Sequence, residues 1–97
     1  MIDEEGSSAF GIQPEGYNRK LLVDVDEDNK VYILDVENCV VHKIDQNGEK
    51  LLKFGRYGSG NGEFDDAEDI KVDVQGDIWI ADSGNHRVVK FSPQGNF

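Results

Sequence analysis

The chain can be laid against itself, and this constrains its fold more than any other feature. Val23-Asp24-Val25 reads against Val72-Asp73-Val74 at an offset of 49 residues. Val31-Tyr32-Ile33-Leu34-Asp35 then reads against Ile78-Trp79-Ile80-Ala81-Asp82 at an offset of 47. Asn38 meets Asn85, Val41 meets Val88, Lys43 meets Lys90 and Gly48 meets Gly95 at that second offset. The change of offset places a two-residue length difference in the turn between the first two runs of each unit. A period of this size with short β-like runs inside each unit points to stacked supersecondary units, as in a propeller or a solenoid.

The runs themselves read as strands. Residues 21–25 are apolar except for Asp24, and residues 31–34 and 78–81 are β-branched, aromatic and apolar, as expected of strands covered on both faces. Residues 39–44, 51–55 and 87–91 supply further strands, and residues 70–74 open the second unit. Turn formers punctuate them: Asp28-Asn29-Lys30, Gln46-Asn47-Gly48, Gln75-Gly76-Asp77 and Pro93-Gln94-Gly95. No segment carries a sustained helical period. The fold class is all-β, built from antiparallel hairpins, with Trp79 expected to be buried in a central strand.

Composition excludes several function classes. Twenty acidic residues against ten basic ones give a net charge of -10, which repels phosphate backbones and anionic membranes. Nucleic acid and membrane are therefore not expected partners. A single cysteine, Cys39, excludes an internal disulfide framework and a multi-cysteine zinc site. No stretch approaches the roughly 20 apolar residues of a membrane span. The start, Met-Ile-Asp-Glu-Glu, lacks the regions of a signal peptide, which leaves a soluble cytoplasmic protein as the default expectation.

The second unit carries a recognisable pattern. Gly55-Arg56-Tyr57-Gly58-Ser59-Gly60-Asn61-Gly62-Glu63-Phe64 leads into Ile70-Lys71-Val72-Asp73, then Ile78-Trp79-Ile80-Ala81-Asp82-Ser83-Gly84-Asn85-His86-Arg87-Val88. This resembles an NHL repeat, with Asn85-His86-Arg87 at the triplet that names the family. The first unit departs from the pattern, having Asn38-Cys39-Val40 at the triplet and Pro14-Glu15-Gly16-Tyr17-Asn18-Arg19-Lys20 in place of the glycine-rich entry. The resemblance implies four-stranded propeller blades, commonly six to a ring.

Naming the strands of a blade A to D from the ring axis outward, the chain reads D-ABCD-ABC. Ile2-Asp3-Glu4-Glu5-Gly6 matches Ile44-Asp45-Gln46-Asn47-Gly48, so residues 7–12 fall where a D strand should be. Residues 13–55 are then blade 1, and residues 56–97 are blade 2 without its own D strand. Two blades per chain close a ring of four, six or eight blades as a dimer, trimer or tetramer; the resemblance implies six, hence a head-to-tail homotrimer, with residues 7–12 of one chain completing the neighbour's second blade.

Candidate sites follow from the turns. Asp82-Ser83-Gly84-Asn85-His86-Arg87 offers a polar cluster, and a turn-stabilising reading competes with a binding one. In the former Gly84 takes a positive φ, Asp82 accepts turn amides and Arg87 pairs with Asp82. Asp65, Asp66, Glu68 and Asp69 form an acidic stretch that, repeated around a ring, could bind a cationic peptide or small ligand. Asp24-Val25-Asp26-Glu27-Asp28-Asn29 resembles the opening of a calcium loop but has Asn29 where glycine is needed, and its flanks are strands. An acidic hairpin turn is the preferred reading.

His42 and His86 occupy different places in their repeats and form no ligand set. No catalytic triad spacing is present, and no helix follows the glycine run at 55–62 to bind a phosphate. No catalytic residue, metal or cofactor is expected. Three function classes stay open: a non-enzymatic self-assembling scaffold, a protein- or peptide-binding module with binding residues Asp65, Asp66, Glu68, Asp69, Asn85, His86 and Arg87, and a metal-dependent lyase or hydrolase.

Overall fold

A computed structural model describes residues 20–97, and in it the chain is all-β. Strands β1 (Leu21–Val25), β2 (Val31–Asp35), β3 (Val40–Ile44) and β4 (Lys50–Phe54) form one antiparallel sheet in that order. Strands β7 (Ala67–Val72), β8 (Ile78–Asp82) and β9 (Arg87–Phe91) form a second, also antiparallel. Between them β5 (Arg56–Tyr57) and β6 (Glu63–Phe64) pair in parallel, and a single 3-10 turn at Ser83–Asn85 joins β8 to β9. Residues 7–12, assigned above to a D strand, and the entry segment before Lys20 lie outside the described residues.

One local device folds each tight hairpin. The Oδ1 of Asp26 accepts the amides of Asp28 and Lys30 at 2.8 and 2.9 Å, and that of Asp73 accepts those of Gln75 and Asp77 at 3.0 and 2.9 Å. Asp45 does the same for Asn47 and Glu49, and the Ser92 hydroxyl for Gln94 and Asn96. A side-chain oxygen bridging the amides two and four residues on replaces a missing backbone partner and fixes the turn.

These turns correct the repeat register. Asp26 matches Asp73, Tyr32 matches Trp79, and Asp45 matches Ser92, all 47 residues apart, so the two units have hairpin turns of equal length. The 49-residue match of Val23-Asp24-Val25 to Val72-Asp73-Val74 was a coincidence of composition. It also displaced the expected strand: β7 runs over Ala67–Val72, and Val74 lies in the turn, exposed.

The core lies between the two larger sheets. Leu22, Tyr32, Leu34, Val41 and Phe54 project from the first sheet onto Ile70, Ile78, Ile80, Val89 and Phe91 of the second. The Phe54 and Phe91 rings meet with centroids 4.9 Å apart, and Phe64 packs edge-on to Phe91. Alternation puts Lys71, Trp79, Ala81, Val88 and Lys90 on the opposite face of the second sheet. Trp79 is accordingly 40% exposed, contrary to the expectation of burial; β8 is central in its sheet, but only one of its faces is covered by described residues.

Candidate functional site

The densest polar cluster sits where β8 turns into β9. Asp82 ends β8 with its side chain fully buried beside Arg87, whose Nε donates to Oδ2 at 2.8 Å. The Asn85 Nδ2 donates to the same oxygen at 3.0 Å and to the Gly58 carbonyl at 2.9 Å. Arg87 extends the other way, its Nη2 reaching the carbonyls of Gly60 and Glu63 at 3.1 and 3.0 Å. The backbone amide of Asp65 donates to the second Asp82 oxygen at 2.7 Å. Burial alone would raise the Asp82 carboxyl, but the Asp65 amide, Arg87 and Asn85 together hold it below the usual carboxylate range.

The cluster therefore ties the glycine loop to the β8–β9 turn. Asp82 and Arg87 pair as expected, but the backbone amide that Asp82 accepts is that of the distant Asp65, not one of its own turn. The left-handed residue is also different from the expected one. His86 has φ 56°, and its counterpart Cys39 has φ 54°, whereas Gly84 is not left-handed. Gly84 is needed for close approach: a Cβ there would lie 2.7 Å from the Asp65 carboxylate and 2.8 Å from the Asp65 carbonyl. The Gly84 amide donates to that carbonyl at 2.9 Å.

The proposed binding residues thus separate into two groups. Asn85 and Arg87 converge on Asp82 and on loop carbonyls; His86 is exposed beside them. Asp65 is half-buried against Gly84. Asp66, Glu68 and Asp69 are exposed, and the Asp69 carboxylate accepts the amide of Ile70 at 2.9 Å. In the glycine loop the Gly60 amide donates to Glu63, whose carboxyl is held low first by Arg56 and then by that amide. In the first unit the Asp26 carboxylate holds hairpin amides and the Tyr32 hydroxyl. Among the described residues no group of three or more His, Cys, Asp or Glu has the geometry to hold a metal ion.

Cys39 is buried, and its Sγ lies 3.8 Å from the Val36 carbonyl. Burial, followed by the nearby Asp65 charge, pushes its thiol up, away from the thiolate a nucleophile needs.

A second constellation was not singled out by sequence reasoning. On the outer face of the second sheet the Trp79 indole donates to Asp73 Oδ2 at 2.9 Å, and Lys90 lies 5.0 Å from the ring centroid. The indole bond is the leading cause holding the Asp73 carboxyl low. The first sheet has the same set at the same spacing: Tyr32 donates to Asp26 Oδ2 at 3.1 Å under Lys43, 5.3 Å from the ring. An aspartate followed six residues later by a ring bearing a donor was the available signal, hidden by the wrong offset.

The NHL repeat family profile matches residues 64–91. NHL repeat-containing protein 3 of Mus musculus is 28% identical over 94 residues, covering 94% of this chain and 27% of the mouse protein. The B-box type zinc finger protein ncl-1 of Caenorhabditis elegans is 42% identical over 45 residues, 46% of this chain and 5% of its own length. The probable peptidyl-alpha-hydroxyglycine alpha-amidating lyase pgal-1 of the same organism is 31% identical over 101 residues, 99% of this chain and 27% of that protein. The chain thus spans about a quarter or less of the curated relatives it matches. With the profile match falling on β6 to β9 and the same sheet recurring 47 residues earlier, the chain carries an NHL repeat.

Proposed function

We propose that the chain is a non-enzymatic binding module that associates with further copies of itself to close a β-propeller. The observation that carries this reading is the outer edge of β9. In the first sheet β4 pairs along β3, with Phe54 opposite Val41 and Leu52 opposite Lys43. Among the described residues no strand pairs with the corresponding edge of β9. An open strand edge is a template for another strand.

Residues 7–12 have the pattern to occupy it, with Phe10 and Ile12 at the places of Leu52 and Phe54. Donated from one copy to the next, they complete four strands per sheet. Three copies of two sheets make a six-bladed homotrimer, the ring size that suits NHL blades. The non-enzymatic part rests on the engagement of Asp82, Asn85 and Arg87 with protein groups. The test is solution mass by light scattering at micromolar concentration. Three times 10.8 kDa supports the ring, and a persistent 10.8 kDa species overturns it.

A second reading, recognition of a cationic peptide, is favoured by the exposure of Asp66, Glu68 and Asp69 on a chain of net charge -10. Asp65, Asn85, His86 and Arg87 flank that stretch. Salt-sensitive binding of a lysine-rich peptide, weakened by replacing Asp66 and Glu68, tests it.

A further inference from the structure

The outer face of the second sheet repeats the face that the first sheet uses to pack on the second. Trp79 stands where Tyr32 stands, Ala81 where Leu34, Val88 where Val41, and Lys90 where Lys43. In the first sheet these positions are covered: Tyr32, Leu34 and Val41 are all fully buried, and Lys43 Nζ donates across the interface to the Pro93 carbonyl at 3.0 Å. In the second sheet the same positions are open, with Trp79 40% and Val88 63% exposed.

The surface that receives the first sheet is likewise duplicated. Ile70 and Val72 on the inner face of the second sheet correspond to Val23 and Val25 on the outer face of the first. Val23 and Val25 are 58% and 46% exposed, alongside the buried Ile33 and Ile44. The molecule therefore carries an open head and a tail that is open at Val23 and Val25 while Ile33 and Ile44 on the same face are buried, and its own interior shows how such surfaces fit.

We infer that the Trp79, Val88 and Lys90 face of the second sheet docks on the Val23 and Val25 face of the first sheet of a second copy. This interface rests on the self-association proposed above and assigns its contacts. The Lys43 bond to Pro93 becomes a bond from Lys90 to the Gln46 carbonyl of the second copy, since Gln46 precedes Pro93 by the repeat spacing. One polar contact changes character. Asp24 accepts the Val72 amide at 2.7 Å within the chain, but Lys71 holds the place of Asp24 in the second sheet. Lys71 then meets the place of the Val25 amide of the second copy, since Val25 precedes Val72 by the repeat spacing, beside the acidic turn of Asp26, Glu27 and Asp28. Because head and tail differ, the contact is heterologous and propagates in one direction.

The test uses two full-length variants, each blocked on one surface. Trp79→Asp spoils the head and Val23→Asp spoils the tail; both positions are exposed, so circular dichroism should show native sheet content. Val88→Glu serves as a second head variant if Trp79→Asp alters that spectrum. Each variant alone is expected at 10.8 kDa under conditions where the wild type associates. An equimolar mixture is expected to give a species of two chains, because the head of one and the tail of the other are intact.

Trp79 is the only tryptophan, so in that mixture all indole fluorescence comes from the Val23→Asp chain. Its emission should shift to the blue and its quenching by acrylamide should fall several-fold on mixing. Variants that assemble like the wild type, or a mixture that leaves Trp79 quenchable, overturn this interface while leaving self-association intact. A wild type that stays monomeric overturns both.

Discussion

Tyr32 and Trp79 hold the same station in successive sheets and make the same bond, each to an aspartate six residues upstream, at 3.1 and 2.9 Å. Tyr32 is sealed between the sheets and Trp79 is open. Burial, and then the bond to Asp26, push the Tyr32 hydroxyl well above its usual range. The pair separates what a side chain contributes locally from what its neighbours add.

Tyr32→Ala should cost roughly 3–5 kcal/mol, as for other large buried aromatic truncations. Trp79→Ala, measured below the concentration of association, should cost about 1 kcal/mol, from one exposed hydrogen bond and the Lys90 stack. Urea titrations of the two variants against the wild type give both values. Equal costs would contradict the exposure difference.

Asp82→Ala should be among the most damaging polar substitutions. It strips the acceptor from the Asp65 amide, Asn85 and Arg87 at once and leaves a half-buried guanidinium without its carboxylate. A loss of about 2–4 kcal/mol is expected, tempered because Arg87 retains the Gly60 and Glu63 carbonyls and partial contact with water. Chemical denaturation at neutral pH measures it.

Stability should fall in acid. Asp26 and Asp82 both have carboxyls held below their unfolded range: burial opposes this at each, while amide and side-chain donors overcome it. A carboxylate depressed in the fold stabilises fully above its unfolded pKa of about 3.9 and loses that contribution as pH falls through the lower folded value. Urea midpoints should therefore be flat from neutral pH to about 5 and decline below about 4. Asp26→Asn should make the decline shallower.

Gly55→Ala should destabilise more than Gly48→Ala, although both glycines have positive φ, 98° and 85°. At Gly55 a methyl would lie 2.7 Å from the Phe64 ring and 3.0 Å from the Cys39 carbonyl, while at Gly48 nothing lies within 4 Å. The backbone term alone is about 1 kcal/mol, and the clash at Gly55 adds about 1–3 kcal/mol. Thermal melts of the two variants measure the difference.

Much of the fold is legible in the sequence because it is local. Asp26, Asp45, Asp73 and Ser92 each fold their own turn through amides two and four residues on, and alternation along β2 and β8 assigns faces by period two. The repeat register was obscured because Val-Asp-Val occurs near both first strands, and composition cannot tell the turn-forming Asp26 from Asp24. Pairing decides it: Asp24 sits opposite Tyr32 and Lys71 opposite Trp79.

The candidate site divides in the same way. The Asp82 to Arg87 pair spans a short hairpin and was readable from the chain, as was the contribution of Asn85 to that turn. The glycine-loop carbonyls that Arg87 and Asn85 reach lie 24 to 27 residues away in sequence, and only folding brings them together. The sequence by itself determined the strands, the hairpins and their repetition, since these depend on hydrogen bonds and side-chain alternation within a few residues. Only the tertiary structure decided which face of each sheet is covered, because burial depends on what packs above a strand, and equivalent rings at Tyr32 and Trp79 therefore meet opposite surroundings.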